Sequence, residues 1–331
     1  MSTRGWLRKL LFDISQREAS AVRRGFRSSS AQLQLEQVGR TFLRGYSTAL
    51  ETDDSAALER GLGQIDAELR GFAFEGAAMT LALFDLITPW RRDRLAMFLK
   101  GAGDAHAYMV HVGIGWAVAR VPWARSKVEL HLQQLDPLLR WLVLDGYGFH
   151  QGYFHWAEHV RQQKAITRLS PYARRAFDQG LGRSLWFVEG ADIPQIMATI
   201  LAFDDGRRAD LWSGVGLACA YAGCVQPADV EALREAAPQH LPEIAQGAAF
   251  AAKARQRAGN EADHTDFACR ILASLPASSA AAITDECLDG LPDGSDDQPA
   301  YELWRRRVQE RLMTAGARSE AARPSKEEVV P

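Results

Sequence analysis

The chain has 331 residues, 47% of them hydrophobic, with 39 basic side chains against 41 acidic ones. That is enough apolar material for one large folded unit or two ordinary ones, and so even a charge balance excludes the broad positive field that recruits nucleic acid. The four cysteines, Cys219, Cys224, Cys269 and Cys287, make no CxxC pair and read as reduced structural thiols of a cytoplasmic protein, while no apolar run reaches the roughly 20 residues of a transmembrane helix.

Residues 1–30 carry seven basic groups and two acidic ones, and Trp6, Leu10 and Ile14 recur four apart. The chain is therefore expected to begin with a basic amphipathic helix docked on its own domain. A helical-repeat core is expected over 31–275. Within it, Leu35, Val38, Phe42 and Tyr46 share one face of a helix ending near Thr52, and Asp53, Asp54 and Ser55 break the chain and cap a helix running through Leu69, closed by Gly71. An apolar helix over 75–87 stops at Pro89, a short basic one covers 91–100, and another covers 105–120 before Pro122. Residues 276–315 combine an acidic loop with a docking helix, Tyr301 to Met313, whose Trp304 and Leu312 face inward. Residues 316–331 read as a disordered tail. Alternating β-branched runs are missing, so the fold class is all-α.

A weak internal repeat accompanies these helices. Gly76-Ala-Ala-Met79, Gly152-Tyr-Phe-His155 and Gly247-Ala-Ala-Phe250 each follow an acid or an amide, and Gly113-Ile-Gly115-Trp-Ala117 resembles Gly214-Val-Gly216-Leu-Ala218. The spacings are irregular, and the small residues would let helix backbones approach closely, which predicts a two-layer array of packed helical hairpins with a concave surface. The pairs Gly101/Gly103, Gly113/Gly115, Gly180/Gly182 and Gly214/Gly216 lack the third glycine of a dinucleotide fingerprint and the lysine of a phosphate loop. They read as packing glycines, and no cofactor is expected.

Candidate chemistry concentrates in Asp145 to His159, DGYGFHQGYFHWAEH. His155, Glu158 and His159 fit the H-x-x-E-H pattern of a zinc hydrolase, but no third ligand segment follows at a characteristic place, so no metal is expected. GYGFH has an altered copy in GFAFE, residues 71–75, which sets Glu75 against His150 as the outline of an acid/base pair facing one cavity. Either residue capping or bridging its own helix turn is the structural alternative. Tyr147, Phe149, Trp186 and Trp212 are candidate cavity walls, and Asp178, Arg183 and Asp210 are charged residues among bulky apolar neighbours, suited to an ion pair or to an anionic ligand group.

The blocks FEGAAM (74–79), YMVHVGIGWAVARVP (108–122), DGYGFHQGYF (145–154), DQGLGRSLWFVEGAD (178–192), RRADLWSGVGLACAYAG (207–223), QGAAFAAKARQRAG (246–259) and YELWRRRVQ (301–309) resemble the bacterial domain-of-unknown-function family seventeen-oh-two. The resemblance runs from about Leu35 to about Leu312. It implies an accessory or tailoring protein of enediyne polyketide loci, with a polyketide intermediate or a synthase component as partner, and it carries no established mechanism. As an enzyme the chain would use Glu75 and His150 as proton carriers, with Arg183 steadying an anionic group. As a binding protein its concave surface would hold a synthase partner or the product. The HxxEH zinc hydrolase is a minor third reading.

Overall fold

The computed structural model describes residues 14–88, 90 and 93–321. Among them the regular elements are helices, with one isolated bridge between Gly294 and Pro299, as the missing β-branched alternation implies. Seven long helices follow one another: α1 (Gln32–Glu51), α2 (Arg70–Ile87), α3 (Ala107–Arg120), α4 (Trp141–Phe154), α5 (Pro171–Val188), α6 (Asp205–Ala222) and α7 (Leu241–Ala258). A last helix, α8, spans Ala300–Ala321. No single helix among the described residues is long and apolar enough to cross a membrane.

Local sequence explains where these helices begin. Ser170 accepts a hydrogen bond from the Ala173 amide and Pro171 occupies the first turn of α5, satisfying an orphan donor and fixing φ where no amide is needed. Helix α1 is amphipathic, with Leu35, Val38, Phe42, Tyr46 and Leu50 buried while Gln34, Gln37 and Arg40 are exposed. By contrast α2, α3 and α4 are buried on nearly every side, which places them in the interior of the array. Asp54 caps the helix after α1, as expected, but that helix ends at Gly63. Gly71, expected to end it, lies inside α2. The hydroxyl of Tyr221 packs against its Cα so closely that a Cβ would sit 1.9 Å away, so Gly71 serves a contact and not a stop. The basic N-terminal helix expected before residue 14 lies outside the described residues. Helix α8 continues to Ala321, six residues into the stretch read as a tail.

Each long helix packs on the next, from α1 through α7. Ring contacts between Trp141 and Tyr172, Tyr147 and Phe177, and Phe149 and Phe187 advance together along α4 and α5, so these neighbours run parallel. The chain returns between long helices through shorter elements such as Ile193–Leu201 and Pro227–Ala236. The array also curls until late helices meet early ones. Phe72 of α2 lies edge-on to Tyr221 of α6 at 5.2 Å, and Arg255 of α7 donates to the Glu68 carbonyl at 3.1 Å.

The packing glycines set the register of this array. A Cβ on Gly146 would lie 2.0 Å from the Val112 carbonyl oxygen of the preceding helix, and one on Gly148 would lie 1.9 Å from that of Phe177 in the following helix. Gly180 and Gly182 alternate in the same way, as do Gly113/Gly115 and Gly214/Gly216. Two residues advance a helix by roughly 200°, so glycines two apart open opposite flanks to close neighbours. The first glycines fall at 113, 146, 180, 214 and 247, steps of 33 or 34. The repeat is thus regular once Gly146 takes the place the sequence reading gave to Gly152.

Candidate functional site

That register points the same two positions of every long helix inward: the residue before the first glycine and the residue four later, one turn along the same face. The first set includes Glu75, Val112, Asp145, Gln179, Ser213 and Gln246; the second includes Trp116, Phe149, Arg183, Leu217 and Phe250. Glu75 is therefore the counterpart of Asp145 and not of His150. The aromatic likeness of GFAFE to GYGFH had suggested the other alignment, which is five residues out of register with the packing glycines.

The interior divides along its length. Toward the N-terminal halves of α5 to α7 it is filled by the start of α8, whose Tyr301, Trp304 and Arg305 are each 1% exposed. Toward the C-terminal ends of α4 to α6 it holds a cavity of about 50 Å³, with Phe42, Phe72, Trp116, Phe149, Tyr153, Phe187 and Tyr221 in its wall and Ile14 and Ala19 of the N-terminal segment closing one side. Trp116 is its centrepiece. The indole stacks obliquely on Phe42 at 4.4 Å and faces Phe149 at 5.3 Å, and its Nε1 donates to Glu75 Oε1 at 2.9 Å.

Glu75 and Arg183 bring charge into this apolar wall. Burial pushes the Glu75 carboxyl up to about 7; the nearby Arg183 opposes the rise, Asp145 adds to it, and the Trp116 hydrogen bond opposes it again. Burial disfavours the charge of Arg183, but Asp145 and Glu75 outweigh that and hold its pKa above the usual value. Arg183 is ion-paired to Asp145 through Nη1, and Gln179 Nε2 donates to the other Asp145 oxygen at 2.9 Å. A carboxyl that titrates near neutrality in an aromatic enclosure is able to give or take a proton at physiological pH.

His150 lies edge-on to Trp116 at 5.6 Å and is not among the cavity-lining residues. Burial pushes its imidazole down to about 3, against a partly offsetting hydrogen bond with Gln151 and with His155, Arg120 and Arg24 lowering it further. The expected pairing of carboxylate and imidazole is replaced by Glu75 facing Arg183, and the histidine is held neutral instead of poised near pH 7. Of the other candidates, Phe149 lines the cavity beneath the Arg183 guanidinium, 5.0 Å from its ring. Tyr147 packs on Phe177, Trp186 donates to the Gly223 carbonyl at 3.0 Å, and Trp212 is 1% exposed within the core. Asp178 is held by Arg207 at 2.8 Å, and Asp210 by Arg175 and Arg305 at 2.9 and 2.7 Å. These five residues lie apart from the cavity.

The HxxEH residues do not converge either. His155 is exposed beyond the end of α4, Glu158 pairs with Lys164 at 3.0 Å, and His159 Nδ1 lies 2.8 Å from the Lys164 carbonyl oxygen. The described residues contain no cluster of three metal-binding side chains. Trp116, Tyr153 and Tyr221 are wall residues that sequence reasoning passed over. The likeness of Gly113-Ile-Gly115-Trp to Gly214-Val-Gly216-Leu held the signal for Trp116, since the residue after the second glycine is an inward position.

Comparison with known proteins adds one finding. The model of a family described as "Protein of unknown function (DUF1702)" matches residues 3–312. No curated protein and no solved structure matches the chain.

Proposed function

We propose a small-molecule role for this chain, which belongs to the DUF1702 family of proteins of unknown function. The aromatic cavity holds the apolar part of a polyketide intermediate, and Glu75 exchanges a proton with it, as an accessory or tailoring step of enediyne-type biosynthesis. The carrying observation is a buried carboxyl, raised to about 7, on the wall of an aromatic cavity. The resemblance to a family of enediyne loci supports a polyketide as the source of that apolar part.

A binding role without chemistry is the second reading, favoured by one observation. With His150 pushed down to about 3 and outside the cavity lining, Glu75 has no imidazole partner there to complete an acid/base pair. Glu75→Gln separates the two readings because it keeps size and hydrogen bonding and removes the exchangeable proton. If Glu75 does chemistry, the variant binds ligand but stops product formation in the producing host. Full production by a folded Glu75→Gln protein would leave the binding role.

A further inference from the structure

The wall of the aromatic cavity is of two kinds. Apart from Ile14, Glu18 and Ala19, its lining residues among those described belong to α1–α6. Those helices touch backbone to backbone: a Cβ on Gly76 would lie 2.0 Å from the Phe42 carbonyl oxygen, and one on Gly182 2.1 Å from that of Leu211. Close packing of this kind leaves them little play. The cavity itself, about 50 Å³, has room for a few water molecules, whereas small-molecule sites take roughly 300–1,000 Å³. A guest enters where the wall can yield, and that is at the N-terminal segment.

Residues 14–27 hold one 3₁₀ turn, Gln16–Ala19, and one helical turn, Ala21–Arg24, both too short to be stable alone. Ile14, Ala19 and Ala21 are buried beneath the segment, while Gln16, Arg17, Val22 and Arg23 are exposed. What fastens it is largely polar. The Ala21 amide donates to Glu36 Oε1 at 2.9 Å, the Tyr153 hydroxyl to the Glu18 carbonyl at 3.3 Å, Trp156 Nε1 to the Arg24 carbonyl at 3.1 Å, and the Arg27 amide to the Val188 carbonyl at 3.0 Å. A thin layer with few buried apolar groups, held by hydrogen bonds, opens at a lower free energy than the packed helices beneath it.

Further space borders the same segment. A second, slight hollow shares Ala19, Tyr153 and Phe187 with the cavity. A third, of about 410 Å³, shares Phe26 and Arg27 with the second and reaches Trp156. Each of the three has part of residues 14–27 in its wall. Resting on the small-molecule reading above, we propose that residues 14–27 are a strap that lifts to admit the ligand, joins these hollows into one trough from Glu75 to Trp156, and closes again over the apolar part of the guest.

The test uses the full chain and N-phenyl-1-naphthylamine, a neutral apolar dye whose fluorescence rises when it leaves water. A Cβ on Gly39 would lie 3.1 Å from that of Ala19, a few tenths of an ångström short of the roughly 3.5–4.5 Å that a disulfide spans, so Ala19→Cys/Gly39→Cys pins the strap to α1 when oxidised. Oxidation is expected to slow dye entry about tenfold or more, and reduction to restore it. Both forms carry the same side-chain bulk, and the parent chain taken through the same cycle controls for the natural cysteines. Should the double variant not fold, Glu36→Ala, which frees the Ala21 amide, is expected to speed dye entry about tenfold, the weight of one hydrogen bond to a charged group. In hydrogen exchange the Ala21 and Arg27 amides should be protected about a hundredfold less than those of residues 146–150 in α4. Equal dye entry into the oxidised and reduced forms, no acceleration in Glu36→Ala, or strap amides protected as well as those of α4 overturns the strap, while the small-molecule reading stands on the dye bound. Failure of the parent chain to bind the dye overturns both.

Discussion

The two halves of the interior are built from the same repeated positions and end in opposite states. Where α8 enters, every buried charge is answered: Arg305 pairs with Asp210 at 2.7 Å, Arg175 bridges Asp210 and Glu302 at 2.9 and 2.8 Å, and Gln246 accepts from Ser213 and Arg305 at 3.0 and 3.2 Å. Where α8 does not reach, Glu75 has one hydrogen bond and Arg183 one carboxylate among the described residues. The difference is the occupant. A helix of the chain itself pairs the charges of one half, with Arg305 Nη2 and Gln246 Nε2 left without a hydrogen bond among the described residues, and the other half keeps an ionisable acid in the wall of the cavity. The first arrangement serves stability, and the second suits the ligand proposed for it.

Breaking the filled half should have the largest effect. Arg305→Met removes the buried cation that Asp210 and Glu302 share, leaving them to Arg175 and Arg306 at the rim, and is expected to lower unfolding free energy by about 3 kcal/mol, read by chemical denaturation. A loss under about 1 kcal/mol would mean that water answers those carboxylates and that the contrast with the cavity is not real. Next comes the scaffold common to both halves. Gly180→Ala would set a Cβ 1.7 Å from the Asp145 carbonyl oxygen, and the forced separation of α4 from α5 should cost about 3 kcal/mol and weaken ligand binding together with stability.

The acid–base contrast around Trp116 sharpens the comparison through pH. Glu75 titrates at about 7 in the fold against an ordinary value of 4.5, so between these values the folded state holds a proton that the unfolded chain has released. Stability from this group is present below about pH 4.5 and is lost as pH rises through 7, in total about 3 kcal/mol. His150 has the opposite sign, with a folded value of about 3 against 6.5. Its contribution is present above about pH 6.5 and is lost as pH falls toward 3. Glu75→Gln should therefore flatten the alkaline decline and leave the acid one, and His150→Gln the reverse. Unfolding curves collected from pH 4 to 8 check both, and identical profiles for the two variants would refute the assignment.

The smallest effects belong to residues outside either network. Tyr221→Phe removes a buried hydroxyl that lies against Gly71 and Asn260 and should leave stability within about 1 kcal/mol of the parent. His155→Ala, at an exposed position, should change it by no more than about 0.5 kcal/mol. A calorimetric scan of each is sufficient, and a drop well beyond these values would show that the side chain contributes more to the fold than its contacts indicate.

Much of the fold was legible in the chain because the signals are local. The Asp54 cap, the one-sided apolar face of α1 and the return of the chain to a helix after the acidic loop follow from backbone preferences and periodicity within a few residues. The glycine pairs were legible as packing devices too, and their 33- to 34-residue period was present in the letters. It went unseen because aromatic likeness favoured Gly152 over Gly146, and an aromatic ring packs well in many settings whereas a glycine at a backbone contact is replaceable by nothing larger. Gly71 was misread for the same reason, its role being set by Tyr221, 150 positions away in the chain. What only the tertiary structure decided is which inward residues meet: that Arg183 takes Asp145 and faces Glu75, that His150 stays out of the cavity wall, and that α8 stops short of the aromatic end. Those outcomes depend on the curvature accumulated over seven helices and on where a distant helix docks, and burial then fixes the charge states, a long-range effect that no window of sequence contains.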